Sequence, residues 1–441
     1  MTHRLMSRAL RAALVALLLP ASAQADRFEV SDRGDHAPGA CTPADCTLRE
    51  AVIAANGRRG ADTIVLRSRR RYELAIRSTG EDAAADGDLD VTAGPLKVVH
   101  PGRGTATIDA NRIDRVFDIG AARTRLEKLT IRGGRADPSD AGGDGGGITA
   151  GDLGDAPLTI VRSRIVDNRA TAVDGNGGGI DTDIAGLLTI VRTTVANNDA
   201  AGDGGGITGS LDGPMVIDRS TITGNEAGEG GGVMVVGRAT ITASTIAGNR
   251  AVAGGDGELG DGAGIYVDDQ GILSVTNSTI AGNHAINRGA GIFGEELGLA
   301  TIAFSTVARN QADGARFGLA SSGGVQPDSA AFEVANSIIA LNTGSGGAPA
   351  DCGGSTFAGS GPNLVTTGAG GGCGGGAIVA PNPGLGPLAS NGGPTRTIAL
   401  LPGSPAIGAA APSPAARRDQ RGVARGGDPD LGAFEFTASG R

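Results

Sequence analysis

The chain has 441 residues, a formal net charge of −9, 2% aromatic residues, no Trp and 78 Gly. So few aromatics exclude a wide globular core filled by large rings, and an acidic chain with no basic stripe excludes nucleic acid as the expected partner. A length that would ordinarily mean two or three domains is compatible with one body only if that body grows along a single axis.

Residues 1–25 read as a secretory leader. Arg4 and Arg8 precede the apolar run from Ala12 to Leu19, and Ala23-Gln24-Ala25 supplies a small-residue cleavage site. The mature chain is therefore expected outside the cell, and no later run of ~18 apolar residues predicts a transmembrane segment in it. Residues 26–60 read as an N-terminal cap. Arg27–Val30 is a short strand, and Cys46 to Asn56 is a helix opened by the capping box of Thr47 and Glu50. Leu48, Ala51, Val52 and Ala55 fall on one face of that helix, as suits a plug for an exposed solenoid end. Residues 61–134 hold irregular strands, with candidates at 63–66, 72–76, 89–91, 96–99, 107–109 and 116–119.

From residue 145 to 342 one phrase recurs seven times: a Gly cluster, a variable turn, an alternating apolar run, a Ser or Thr, and an Asn. The Asn falls at 168, 198, 225, 249, 283, 310 and 342. Aligned on the Ser/Thr column, three flanking columns are apolar in every copy. One of them reads Ile160, Ile190, Ile217, Ile241, Val275, Ile302 and Val334. Period-two alternation of β-branched residues predicts half-buried strands. About three strands per unit, with length changes confined to turns, predict an all-β, right-handed parallel β-helix over 61–376. The Asn column (Asn168, Asn198, Asn225, Asn249, Asn283, Asn310, Asn342) is read as structural: a residue type that tolerates left-handed turns, stacked into an amide ladder.

All four cysteines lie beyond the leader, and four cysteines allow three pairings. Because a rod should hold the two ends apart, the expected bonds are local, Cys41–Cys46 and Cys352–Cys373. A zinc site lacks the paired Cys-x-x-Cys or His partners. Residues 343–376 are Gly-rich, and from 377 to 441 the composition shifts to Pro and turns, which predicts a C-terminal cap.

Cys46-Thr47-Leu48-Arg49-Glu50-Ala51 resembles the Cys-Ser-Leu-Arg-Glu-Ala motif that names an N-terminal domain of bacterial exported β-helix proteins. The tail, with Asn391-Gly392-Gly393-Pro394-Thr395, Ser404-Pro405-Ala406 and Asp430-Leu431-Gly432-Ala433-Phe434-Glu435, resembles the choice-of-anchor Q domain. The Gly-Gly-Gly-Ile and Ser-Thr-Ile-x-x-Asn phrases are similar to polymorphic outer-membrane protein repeats. These resemblances imply a bacterial exported or surface protein on a pectate-lyase-like solenoid. An autotransporter barrel is not expected after the last coil, because the ~60 Pro/Gly-rich residues that follow are too few for one.

No catalytic set emerges. His36, His100 and His284 are scattered, and the outward strand column (Thr159, Thr189, Val216, Thr240, Ser274, Thr301, Glu333) carries no paired acids. Two features point to a ligand. Arg162, Arg192 and Arg219 occupy one column on three successive coils, where stacked guanidinium groups repel unless an anion such as an acidic glycan bridges them. Pairing with Asp167 and Asp218 in solvent is the alternative. The turns from 140 to 214 carry Asp144, Asp152, Asp155, Asp174, Asp181, Asp183, Asp203 and Asp212, a set that could hold Ca²⁺, but no strict Ca²⁺ repeat is present and solvated acidic turns are the favoured reading. No cofactor is otherwise expected. The functional expectation is a secreted or cell-surface binder without catalysis, acting in adhesion, display or contact with a glycan or cell-surface component. Its rival is a polysaccharide lyase or glycoside hydrolase on the same scaffold.

Overall fold

The computed structural model describes residues 25–437 apart from 68–69, 78–79, 81, 121–122, 137–142, 152–155, 184, 255–256, 315–320, 355, 360, 368–372 and 375. Residues 1–24 of the leader, Asp152 and Asp155 thus lie outside the described residues.

The repeat closes into coils that pair only with the coils before and after them. One coil runs Ile207–Thr208, Met215–Asp218, the bend at Ser220, Thr221–Thr223, the turn at Asn225, and Glu226–Ala227. Stacking gives three long parallel sheets. Sheet A, before the Ser bend, has twelve described strands; sheet B, between Ser and Asn, has twelve; sheet C, after the Gly cluster, has nine. A fourth ladder, sheet D, is made of seven two-residue strands directly after the Asn. The sequence folds it into the turn, because two residues show no periodicity.

The sequence columns are the register. Leu158, Leu188, Met215, Ala239, Leu273, Ala300 and Phe332 are successive partners in sheet A. Ile165, Val195, Ile222, Ile246, Ile280, Val307 and Ile339 are successive partners in sheet B. All point inward and are buried in one continuous core. Each such side chain contributes about 1.5–3 kcal/mol before chain entropy is subtracted.

The N-terminal end is closed as the capping-box pattern predicts. The helix is Leu48–Asn56; Thr47 Oγ1 accepts from the Glu50 N–H at 3.1 Å, and Glu50 Oε2 accepts from the Thr47 N–H at 2.8 Å. Arg49 on that helix is also fully buried. Its guanidinium grips Asp35 at 2.8 and 3.0 Å and donates to the carbonyls of Ala84, Asp86, Gly87 and Asp88. Cys41 is bonded to Cys46, and Cys352 to Cys373.

The C-terminal segment departs from the expected cap. The far end of the core is covered instead by the stretch carrying buried Cys352 and Cys373 and the strand Thr356–Gly359, which pairs with Ala331–Ala335. Beyond a final strand at Ile378–Val379, the tail forms a hairpin, Leu385–Ala389 with Thr397–Leu400, and turns back along the flank of sheet B. It reaches as far as Ala243, whose carbonyl accepts from Thr395 Oγ1 at 3.0 Å. The flank, not the end, is where a Pro-rich chain finds apolar surface: Phe304, Ile338 and Leu364 pack with Leu385, Ile398, Leu400, Leu431 and Phe434.

Candidate functional site

Two bends define the long edges of sheet B. At the Ser bend, each hydroxyl accepts from the N–H of the equivalent residue one coil earlier, as Ser220 Oγ does from Thr193 N at 3.1 Å. The residue just before it adopts a left-handed backbone on eight coils: Lys128, Arg162, Arg192, Arg219, Ala243, Asn277, Phe304 and Asn336, with φ between 47° and 57°. This bend projects the side chain outward at the corner between sheets A and B. Arg162, Arg192 and Arg219 are therefore stacked on successive coils, at a rise of about 4.8 Å, and Lys128 extends the column by one coil.

Arg219 pairs with Asp218 at 2.6 Å. Asp167 does not neutralise Arg162; it lies 3.7 Å from Arg132 and receives Asn197 Nδ2 at 3.5 Å. Arg162 and Arg192 are exposed and have no carboxylate partner among the described residues. The same column is then taken over by the tail, since Asn277 Oδ1 accepts from Arg425, Phe304 lies under the Arg425 guanidinium at 4.7 Å, and Asn336 Oδ1 accepts from Ala411 N. The open part of the corner is thus the cationic part.

At the other bend the Asn side chains form a buried ladder. Each Nδ2 donates to the next Oδ1, from Asn168 to Asn198, Asn225, Asn249, Asn283, Asn310 and Asn342, at 2.9–3.0 Å. Each Oδ1 also accepts a backbone N–H from the coil before. The ladder starts at Gly134 N and ends on Asp351 Oδ1. The conformational reason differs from the expected one. The left-handed residue is the one before each Asn, namely Asp167, Asn197, Gly224, Gly248, Gly282, Arg309 and Leu341; the Asn supplies hydrogen bonds, not the turn angle.

The Asp-rich turns do not converge on a metal site among the described residues. The three-carboxylate group that does form is elsewhere, at Asp88, Asp90 and Asp118. Asp90 and Asp118 are direct partners on the outer face of sheet C. The absence of paired acids therefore holds for sheet A but not for sheet C, whose early strands lie in the irregular coils outside the repeat. Burial, with Asp114 and Asp90 close by, pushes the Asp88 carboxyl well above the usual carboxylate range. Arg115 lies 2.9 Å from Asp118 and 3.6 Å from Asp88. Oxygen ligands of this kind suit a hard cation, but here a guanidinium already occupies that electrostatic role. A protonated acid beside ionised ones is also the raw material of general acid chemistry, although Asp88 and Asp90 are both buried.

A further set was not found from sequence. The residue before each Gly cluster stacks at the corner between sheets D and C. Asp144 Oδ1 accepts from Asn176 N at 2.6 Å, Asn176 Oδ1 from Asp203 N at 2.7 Å, and Asp261 Oδ1 from Arg288 N at 2.7 Å. Glu229 occupies the same column; burial, reinforced by Asp203 and Asp261, raises its pKa to about 8. Position relative to the glycines is the signal that would have found this column. The three histidines stay apart: His36 is near Asp45, His100 bonds Leu66 O, and His284 bonds Asp313.

A family model described as "Right handed beta helix region" matches residues 101–296. Among solved structures, pectate lyase Pel9A aligns at a TM-score of 0.52 and 12% identity, over 94% of this chain and 97% of that one. The solenoid is a right-handed parallel β-helix. A search of curated proteins finds no match. No helix among the described residues is long and apolar enough to cross a membrane.

Proposed function

We propose that this β-helix is an exported, surface-located binder of acidic polysaccharide, acting without catalysis through the open half of sheet B. The observation that carries the reading is the column Lys128, Arg162, Arg192 and Arg219. A left-handed backbone position favours Gly, and a non-Gly residue there costs about 1–2 kcal/mol. At the Asn bend the chain does use Gly on three successive coils, Gly224, Gly248 and Gly282. At the Ser bend it keeps four stacked cations instead, on a protein of net charge −9. A polyanion lying along the rod would meet one cation per coil and relieve their repulsion. The covered half shows how this face holds a chain: Thr245 Oγ1 donates to Arg396 O, and Thr306 Oγ1 accepts from Ala433 N. Thr194 and Thr221 occupy the same column in the open half. Likeness to a pectate lyase adds polysaccharide as the polymer class, and the leader and terminal motifs add export from a bacterium.

The test is binding of soluble polyuronates and neutral glucans, with and without Ca²⁺, read together with release of reducing or unsaturated ends. Polyuronate binding that weakens with salt, falls at least tenfold in the Arg162→Ala/Arg192→Ala/Arg219→Ala variant and produces no new ends is expected. Equal binding of neutral glucans, or no effect of the triple variant, refutes the reading. A second reading, a glycan-cleaving enzyme, is favoured by the Asp88, Asp90 and Asp118 group. Turnover lost in Asp118→Asn would establish it.

A further inference from the structure

Across sheet B from the cationic corner, the Asn bend has its own concavity. A cavity of ≈ 660 Å³ opens there, lined by Arg112, Arg135, Arg169, Asp167, Asn197 and Asp199 among others. Its size is in the range of small-ligand sites and well beyond that of a single ion. Its walls follow from the coil. Arg135, Arg169 and Asp199 are successive register partners on the outward side of sheet D. The opposite rim is the left-handed position before the Asn, which here carries a polar side chain on two successive coils, Asp167 and Asn197. It is Gly133 on the coil before and Gly224 on the coil after. Arg112, itself left-handed at φ 61° and tied by its N–H to Gly133 O at 2.7 Å, closes the N-terminal side.

The charges inside are unequal. Arg169 is satisfied by Asp199 at 2.9 Å. Arg112 and Arg135 are exposed and have no carboxylate partner among the described residues. Asp167 and Asn197 offer acceptors and a donor at the rim. Two guanidiniums without a carboxylate partner among the described residues, beside a rim of carboxylate and amide, match a polyhydroxylated anion: the guanidiniums take the anionic group, and the rim takes the hydroxyls.

We infer that this cavity is a separate site for a short acidic saccharide, a terminal or branch unit of about one or two sugars bearing a carboxylate, sulfate or phosphate. It rests on the glycan reading for its ligand class but not on the Arg162–Arg219 column. The site fixes a chain end or branch beside the open face, while the column takes the polymer's length.

The experiment is calorimetric titration of the full mature chain with digalacturonate, a sulfated disaccharide, a sugar phosphate, and a neutral disaccharide of the same size. Arg112→Gln, Arg135→Gln and Arg162→Gln/Arg192→Gln variants are compared, and circular dichroism confirms their fold. The expected result is binding of at least one anionic sugar, weakened tenfold or more by Arg112→Gln and by Arg135→Gln, unchanged by the corner variant, and absent for the neutral sugar. The anionic probe that binds best identifies the oxyanion. No binding of any anionic probe, equal binding of the neutral one, or loss through the corner variant alone overturns the inference. Polymer binding abolished at the corner with no short-ligand site leaves the proposed function standing and this site refuted; a short-ligand site without polymer binding does the reverse.

Discussion

Sheet B presents one outward face along the whole rod, and its two halves are finished differently. In the open half the first outward column reads Arg71, Thr107, Thr130, Arg164, Thr194 and Thr221. In the covered half it continues as Thr245, Thr279, Thr306, Ile338 and Leu364, all buried. The neighbouring column runs Glu73, Asp109, Arg132, Val166, Ala196 and Thr223 in the open half and Ala247, Ala281, Ala308 and Ala340 in the covered half. The backbone is the same in both halves. Neither column carries a charge where the tail makes contact, and all the charges of both lie where no tail does. A solenoid face is thus a neutral platform whose role is set by what each coil places on it.

The largest expected effect concerns the seam between tail and rod. Gln420 is buried, its Nε2 lies within 2.9–3.1 Å of Ser244 O, Thr245 Oγ1, Thr395 Oγ1 and Arg396 O, and its Oε1 accepts from Thr279 at 2.6 Å. Gln420→Ala removes all of these bonds at once, including the acceptor of the buried Thr279 hydroxyl, and should cost about 2–4 kcal/mol. Hydrogen exchange should accelerate from residue 243 to 308 and stay unchanged from 163 to 196. Uniform acceleration along the rod would mean that the halves are not separate in energy.

The Asn ladder runs beneath both halves, so it should not distinguish them. Asn249 Oδ1 accepts from Asn225 N and Nδ2, and its own Nδ2 donates to Asn283 Oδ1 and Ile222 O. Asn249→Ala should cost about 1–3 kcal/mol, and Asn198→Ala about the same, against less than about 0.5 kcal/mol for Thr242→Ala on the outward face of sheet A. Denaturant unfolding of the three variants checks this. A negligible cost at either Asn would place the stability of that half elsewhere.

How far these contrasts were legible in sequence follows from what each depends on. Columns such as Ile160 to Val334 report burial inside the coil, and alternation alone exposes them. The tail's position depends on Thr hydroxyls at 245, 279 and 306, which read the same as the solvent-facing Thr107 and Thr194. Asp90 and Asp118 became partners through register in coils too irregular to align. Glu229 and Asp261 lay in plain view before their glycines, but a single acid per turn reads as a solvated loop until the turns stack.

The D/C corner offers a test away from the tail. Glu229 has a folded pKa of about 8, above its ordinary value of 4.5 because of burial and the neighbouring Asp203 and Asp261. The folded state therefore holds a proton that the unfolded state releases. Stability from this group is complete below about pH 4.5, declines as pH rises towards 8, and is flat above it. Glu229→Gln should remove that slope and stabilise the protein at pH 8 relative to wild type by about 1–2 kcal/mol, less than the full shift implies because the carboxyl is only partly buried. Thermal melts at pH 5 and pH 8 measure it. An identical slope in the variant would assign the pH dependence to other raised carboxyls, such as Asp261 and Asp351.

The smallest effect on stability is the most telling for the open half. Arg192 is exposed, unpaired among the described residues, and held at φ 50°. Arg192→Gly relieves the left-handed strain but frees the unfolded chain, two terms of about 1 kcal/mol each that oppose one another. Net stability should change by less than about 1 kcal/mol and in the favourable direction. If the cation is kept for an anionic partner, polyuronate affinity should fall in the same variant, so stability and binding move in opposite senses. At Phe304, which has the same backbone conformation in the covered half but sits under Arg425, Phe304→Gly should lose several kcal/mol through the emptied contact with the tail. A loss of comparable size at Arg192 would show that its aliphatic stem is packing the rod, and the column would then be structure in both halves.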